Sequence, residues 1–140
     1  MQTIFLYGMI MDQSLLIEKG LKPVVTGPAV LPGYRIHIGA RATLVRSPDH
    51  RSYGMVVQLS DHDAQALYAE PSVQAYVPES IHVKLLATGE VAEVSCYNLP
   101  PEMGLAGANP AYASRLALLV GKLGFEAAYV AEVAAFAEVR

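Results

Sequence analysis

Apolar residues open the chain as a short block, Ile4-Phe5-Leu6-Tyr7, that stops at Gly8. A block of this length, bounded by a glycine, predicts a buried first strand that turns toward a short helix. Asp12 is suited to cap a helix over residues 13–19, and Gly20 fits the left-handed position after it. Residues 24–31 read as extended, with Pro28 marking an edge or a bend. Leu31-Pro32-Gly33-Tyr34 predicts a turn of the chain. Beyond it Tyr34, Ile36 and Ile38 alternate with Arg35 and His37, the period-two sign of a half-buried strand. Residues 41–45 continue as strand, 47–51 form a polar turn, and 53–59 are apolar nearly throughout, as in a buried strand. Ser60 and Asp63 have the spacing of a helix N-cap. That helix runs to about Ala69, with Ala64, Leu67 and Tyr68 as its packed stripe, and Pro71 stops it. Residues 81–87 and 91–99 are two strands around Thr88-Gly89-Glu90, and Pro100-Pro101 closes the sheet.

The last third changes period. Asn109-Pro110 resembles a cap with proline at the first helical position. Tyr112, Leu116, Leu119, Val120 and Leu123 follow helical spacing up to Gly124, and Phe125, Tyr129, Val130, Val133 and Phe136 form a second helical stripe. Strands first and a helical pair last predict one α+β domain over residues 1–140.

Composition narrows the function classes. The 140 residues are 53% hydrophobic and 16% charged, with a formal net charge of −3. Lysines and arginines form no cluster, which argues against a nucleic-acid partner. No apolar run reaches the ~18 residues of a membrane span. The first basic residue is Lys19, so the N-terminus lacks the basic region of a secretory signal. The single cysteine, Cys96, excludes an internal disulfide and fits a reducing, cytoplasmic setting. The four histidines, His37, His50, His62 and His82, are scattered, so no metal site is expected. There is no phosphate-binding P-loop, dinucleotide fingerprint or nucleophile elbow, and no cofactor is expected.

Three positions carry candidate chemistry. The amides after Gly8, between a strand and a helix N-terminus, can form an anion cradle, or the stretch is only a buried strand and a tight turn. Glu70 ends an apolar helix just before Pro71; shielded from water it can act as a base, and in solvent it is an ordinary helix-end glutamate. Tyr97 shares a strand face with Glu93 and Ser95, either a cavity wall or a solvent face. Cys96 falls on the opposite, apolar face and reads as a buried structural thiol.

These marks together resemble the γ-glutamylcyclotransferase-like family. The family's opening strand and Tyr-Gly turn match Tyr7-Gly8-Met9-Ile10. Its apolar-Pro-Gly-aromatic turn matches Leu31-Pro32-Gly33-Tyr34, and its glycine before a strand matches Gly54. Its helix ending in glutamate matches Leu67-Tyr68-Ala69-Glu70-Pro71 with Tyr76 following, and its strand tyrosine matches Tyr97. The resemblance implies a small mixed β-barrel flanked by helices. It implies cleavage of a small γ-glutamyl amine, peptide or amino acid by cyclisation to 5-oxoproline. Glu70 would be the general acid and base, with Tyr7, Gly8, Met9, Ile10 and Tyr97 around the substrate. Met9 stands where the family has Ser or Thr, Ile10 stands where a side-chain amide is possible, and Tyr68 and Pro71 replace Asp and Gly. The alternative from the same departures is an inactive module that binds a small carboxylate or assembles with partners. The stripe Phe125, Tyr129, Val133 and Phe136 is expected to pack on the barrel, with its neighbours forming a homodimer.

Overall fold

A computed structural model describes residues 1–71 and 73–138. Five strands close a barrel in the order β1-β3-β2-β4-β5. The strands are β1 (Gln2–Leu6), β2 (Val24–Ile38), β3 (Ala42–Leu59), β4 (Val77–Leu85) and β5 (Val91–Asn98). All neighbours run antiparallel except β1 and β5, which meet parallel at Ile4 and Ser95. That one parallel seam converts an open sheet into a barrel and removes its free edges. The expected mixed barrel with flanking helices is therefore the observed fold.

Local chemistry sets the helices. Asp12 accepts from the Ser14 amide at the start of α1 (Gln13–Glu18), and Ser60 accepts from the Asp63 amide at the start of α2 (Asp61–Tyr68). Asn109 accepts from the Tyr112 amide to open α4 (Pro110–Lys122), with Pro110 at the first position. Gly20 and Gly124 follow α1 and α4 at φ +80° and +81°. A short α3 (Pro101–Gly104) follows β5, where only the end of the sheet is predicted. In α5 (Ala127–Ala135) Tyr129 and Val133 are buried, and the Tyr53 ring lies against both Phe125 and Tyr129. The C-terminal stripe thus covers the barrel.

Two predicted turns are strand instead. Residues 31–34 lie within β2, and residues 47–51 lie within β3. Pro32 and Gly33 form a bulge: the β2–β3 register passes from Tyr34↔Arg46 to Pro32↔Arg51, and Gly33 sits at φ +83°. The bulge absorbs extra residues without reversing the chain. β4 also begins at Val77, earlier than the predicted residue 81, so Pro78 and Glu79 belong to the sheet.

The core joins the barrel strands to the helix faces packed against them. Ile4, Leu16, Leu59, Cys96, Leu116 and Val120 are fully buried. Burial pushes the Cys96 thiol well above its usual range, so it stays an inert thiol. No helix among the described residues is long and apolar enough to cross a membrane.

Candidate functional site

A cavity of about 290 Å³ opens where the end of β1 meets the segment after α2. Its wall includes Phe5 to Ile10 from the first strand and the turn after it, residues 40–42 leading into β3, and Tyr97 from β5. Tyr68, Val73 and Tyr76 close one side and Tyr112 of α4 another. Five of these residues are tyrosines. Burial raises the ionisation of Tyr7, Tyr68, Tyr76 and Tyr112 well above the ordinary phenol value, so these walls present neutral rings and hydroxyls. Arg41 is the one cation on the wall among the described residues, and no carboxylate lines it.

The Tyr-Gly turn lies at this cavity, but its glycine is not there for its backbone angles. Gly8 has φ −99° and ψ −162°, an extended conformation open to any residue. What requires glycine is space: a Cβ there would sit 2.7 Å from the Tyr112 hydroxyl. That hydroxyl accepts the Met9 amide at 3.1 Å. The Met9 N–H is therefore already committed to protein, and Met9, Ile10 and Met11 coil into one 3-10 turn. The thioether of Met9 and the side chain of Ile10 are half-buried and pack against the core.

Tyr7 is buried and its hydroxyl sits 2.7 Å from the Tyr97 carbonyl and 2.8 Å from Asn98 Oδ1. One phenol proton serves both acceptors. Asn98 Oδ1 also accepts the Leu44 amide, which orients its Nδ2 toward Glu79 Oε1 at 2.7 Å. Tyr7 is thus held by a buried polar frame. Tyr97 stacks flat on Tyr68, centroids 3.6 Å apart and planes 11° from parallel. Of the residues on its strand face, Tyr97 lines the cavity, while Glu93 is exposed and pairs with His82.

Glu70 lies between the lining residues Tyr68 and Val73, and its own side chain is not part of the wall. Both carboxylate oxygens take the Lys19 ammonium at 2.7 Å, and both side chains are 35% exposed. Lys19 is the C-cap of α1, so the pair ties that helix to the segment after α2. The sequence-predicted residues Tyr7, Gly8, Met9, Ile10 and Tyr97 are brought together, with Glu70 beside them rather than among them.

Four wall residues escape a reading from sequence. Tyr112 reads there as core stripe, because its helical spacing is real and its second role depends on α4 crossing Gly8. Tyr76 is quoted as a motif residue without a place; its hydroxyl donates to the Ala42 carbonyl and braces the wall. Arg41 carries no local signal, and Tyr68 reads there only as packed stripe and as the residue in place of the family's Asp. The excess of tyrosine over phenylalanine, eight to three, is the one compositional clue to a hydroxyl-lined cavity.

With this geometry in hand, comparison with known proteins is informative. The sequence model of the family described as gamma-glutamyl cyclotransferase, AIG2-like, matches residues 4–114. No match was found among curated protein sequences. A solved structure named gamma-glutamyl cyclotransferase shares the fold with TM-score 0.75 and 14% identity, over 94% of this chain and 85% of that one. An uncharacterized protein from Homo sapiens aligns with TM-score 0.74 and 16% identity, over 94% of this chain and 85% of its own. YkqA from Bacillus subtilis aligns with TM-score 0.78 and 17% identity, over 97% of this chain and 54% of its own length. At these identities the solved structures support the fold, and the match over residues 4–114 supports the family. The chain belongs to the AIG2-like γ-glutamyl cyclotransferase family.

Proposed function

We propose that this protein cyclises the γ-glutamyl group of a small γ-glutamyl amine, peptide or amino acid, releasing 5-oxoproline and the free amine, with Glu70 as general acid and base. One observation carries the reading: Glu70 holds a primary ammonium with both oxygens at 2.7 Å, on the segment that supplies Tyr68, Val73 and Tyr76 to the cavity wall. The reacting nitrogen of a γ-glutamyl substrate is also a primary ammonium. An exposed ion pair of this kind is worth about 0.2–1 kcal/mol. Exchanging Lys19 for the substrate ammonium is therefore energetically cheap.

The chemistry then follows from the residue types. Glu70 takes a proton from the α-ammonium, and the freed nitrogen attacks the γ-carbonyl carbon. The new C–N bond closes the five-membered ring as the amide C–N bond breaks. Glu70 returns its proton to the leaving nitrogen, and the second proton shed by the ring nitrogen passes to the released amine, which departs as an ammonium. Attack is intramolecular, so holding the glutamyl chain folded supplies much of the acceleration. Arg41 is the charge available for the α-carboxylate, since the Met9 amide is committed to Tyr112. Tyr7, Gly8, Ile10 and Tyr97 bound the glutamyl group. No step calls for a metal or cofactor.

A second reading is a binding module without turnover, and one observation favours it: no carboxylate lines the cavity wall among the described residues. Release of 5-oxoproline from a panel of γ-glutamyl amines, dipeptides and amino acids separates the two. Turnover on any member establishes the enzyme. Saturable binding of these compounds with no 5-oxoproline formed establishes the module.

A further inference from the structure

We propose that a second cavity, between β2 and β4, is a binding site for a small α-amino acid with an apolar side chain, its carboxylate on Arg46 and its ammonium on Glu79. Tyr34 of β2, residues 43–46 of β3, Glu79 of β4 and Asn98 of β5 line this cavity, beyond the end of the β2–β4 ladder. The β2–β4 ladder consists of two pairs, Ala29↔Leu85 and Val30↔Lys84. Continued in the same register, it would bring Tyr34 opposite Ser80. The ladder ends at Val30, ahead of the bulge at Gly33, φ +83°. The opening is about 330 Å³, at the low end of the roughly 300–1,000 Å³ of small-molecule sites. It shares no lining residue with the first cavity.

The charges in it are arranged for a zwitterion. The Arg46 guanidinium carbon lies 5.5 Å from the centre of the Tyr34 ring. Glu79 lines the same space and acts electrostatically on the same tyrosine. Neither charge forms an ion pair within 4.0 Å among the described residues. Glu79 is nevertheless fixed, because Oε1 accepts from Asn98 Nδ2 at 2.7 Å. Asn98 is only 8% exposed and is held in turn by Tyr7 and the Leu44 amide. One carboxylate oxygen is thus anchored, and the other has no protein donor among the described residues. Two unlike charges in one cavity, one of them rigidly mounted and neither paired, match a ligand that carries both. Buried Leu44 and Leu99 form the remaining floor, which suits an apolar side chain.

The test is calorimetric titration of the full chain with leucine, and with 4-methylpentanoate and isoamylamine, which each lack one of its charges. Leucine is expected to bind, and each analogue at least about tenfold more weakly, the scale of one charged hydrogen bond. Arg46→Gln and Glu79→Gln should each weaken leucine by about the same factor. Glu79→Gln keeps an acceptor for Asn98, and an unchanged unfolding temperature checks that. If that variant fails to fold, Arg46→Gln and the analogues still decide. Arg41→Gln, in the first cavity, should leave leucine affinity unaltered. No leucine binding at millimolar concentration, equal affinity for the analogues, or loss of binding in Arg41→Gln alone overturns the proposal. Because the two cavities share no residue, failure here leaves the cyclotransferase reading untouched, and the converse holds.

Discussion

The Gly8–Tyr112 contact shows how much of this site depends on single atoms. Sequence alone marks Gly8 as a turn glycine. Its backbone is ordinary, and its lack of a Cβ is what matters, because the Tyr112 hydroxyl fills that space and takes the Met9 amide. Nothing local in the sequence pairs residues 8 and 112. Gly8→Ala should therefore destabilise the fold by about 1–3 kcal/mol, through an unpaired amide and a displaced tyrosine. In a Tyr112→Phe background the same substitution should cost less, because the clashing oxygen is gone. Denaturant midpoints of the four proteins measure the difference, and equal costs in both backgrounds would refute the contact. Glu70 was legible as a candidate, but its partner was not, since Lys19 lies 51 residues away. Lys19→Met should change stability by at most about 1 kcal/mol, given the exposure of the pair. On the cyclotransferase reading it should leave turnover intact and lower the KM for γ-glutamyl substrates. A variant with little or no turnover would show that Lys19 has a role of its own.

At the scale of elements, caps and stripes were legible because they are local. Asp12, Ser60, Asn109, Gly20 and Gly124 all occupy the positions their chemistry predicts. The two misjudged turns face each other at the Gly33 bulge, where β2 and β3 run on together. Pro32, Gly33 and the polar run at 47–51 look like chain reversals because most of that run faces solvent, and solvent-facing strand lacks the alternation that identifies it. One acidic contact joins the C-terminal pair to the barrel. Glu126, just before α5, accepts from the Tyr53 hydroxyl and from Arg51, both at 2.5 Å. The hydrogen bond from Tyr53, helped by the Arg51 charge, lowers its ionisation below the ordinary 4.5. A lowered folded value means that ionised Glu126 stabilises the fold above about 4.5, and that this support is lost as pH falls through the lower folded value. Glu126→Gln should flatten the stability profile below about pH 4.5, where the wild type loses this support as pH falls through the lowered folded value. Wild-type and Gln profiles that fall in parallel would contradict this assignment.

For the whole molecule, the parallel seam between β1 and β5 is the decisive closure, and no pattern in the chain announces it. Ile4 and Ser95 meet across 91 positions. The barrel was legible only through the order of five weak motifs, which is why resemblance reached the fold and periodicity stopped at an α+β domain. The C-terminal stripe is used on the barrel, so a homodimer would have to form through its exposed neighbours, of which Leu118 is 76% exposed. Sedimentation at high micromolar concentration is expected to show a dimer that Leu118→Glu dissociates, and a wild-type monomer would contradict it. On the cyclotransferase reading the site works as a unit, a cavity that folds the glutamyl chain and a carboxylate beside it that moves the proton. The most direct test of that reading compares wild type with Glu70→Gln on the best γ-glutamyl substrate, with turnover and substrate binding measured in parallel. The account predicts that Glu70→Gln keeps binding within a few-fold and loses turnover by at least about 10²-fold, the usual worth of a positioned acid–base group. Turnover in Glu70→Gln close to that of wild type would contradict it.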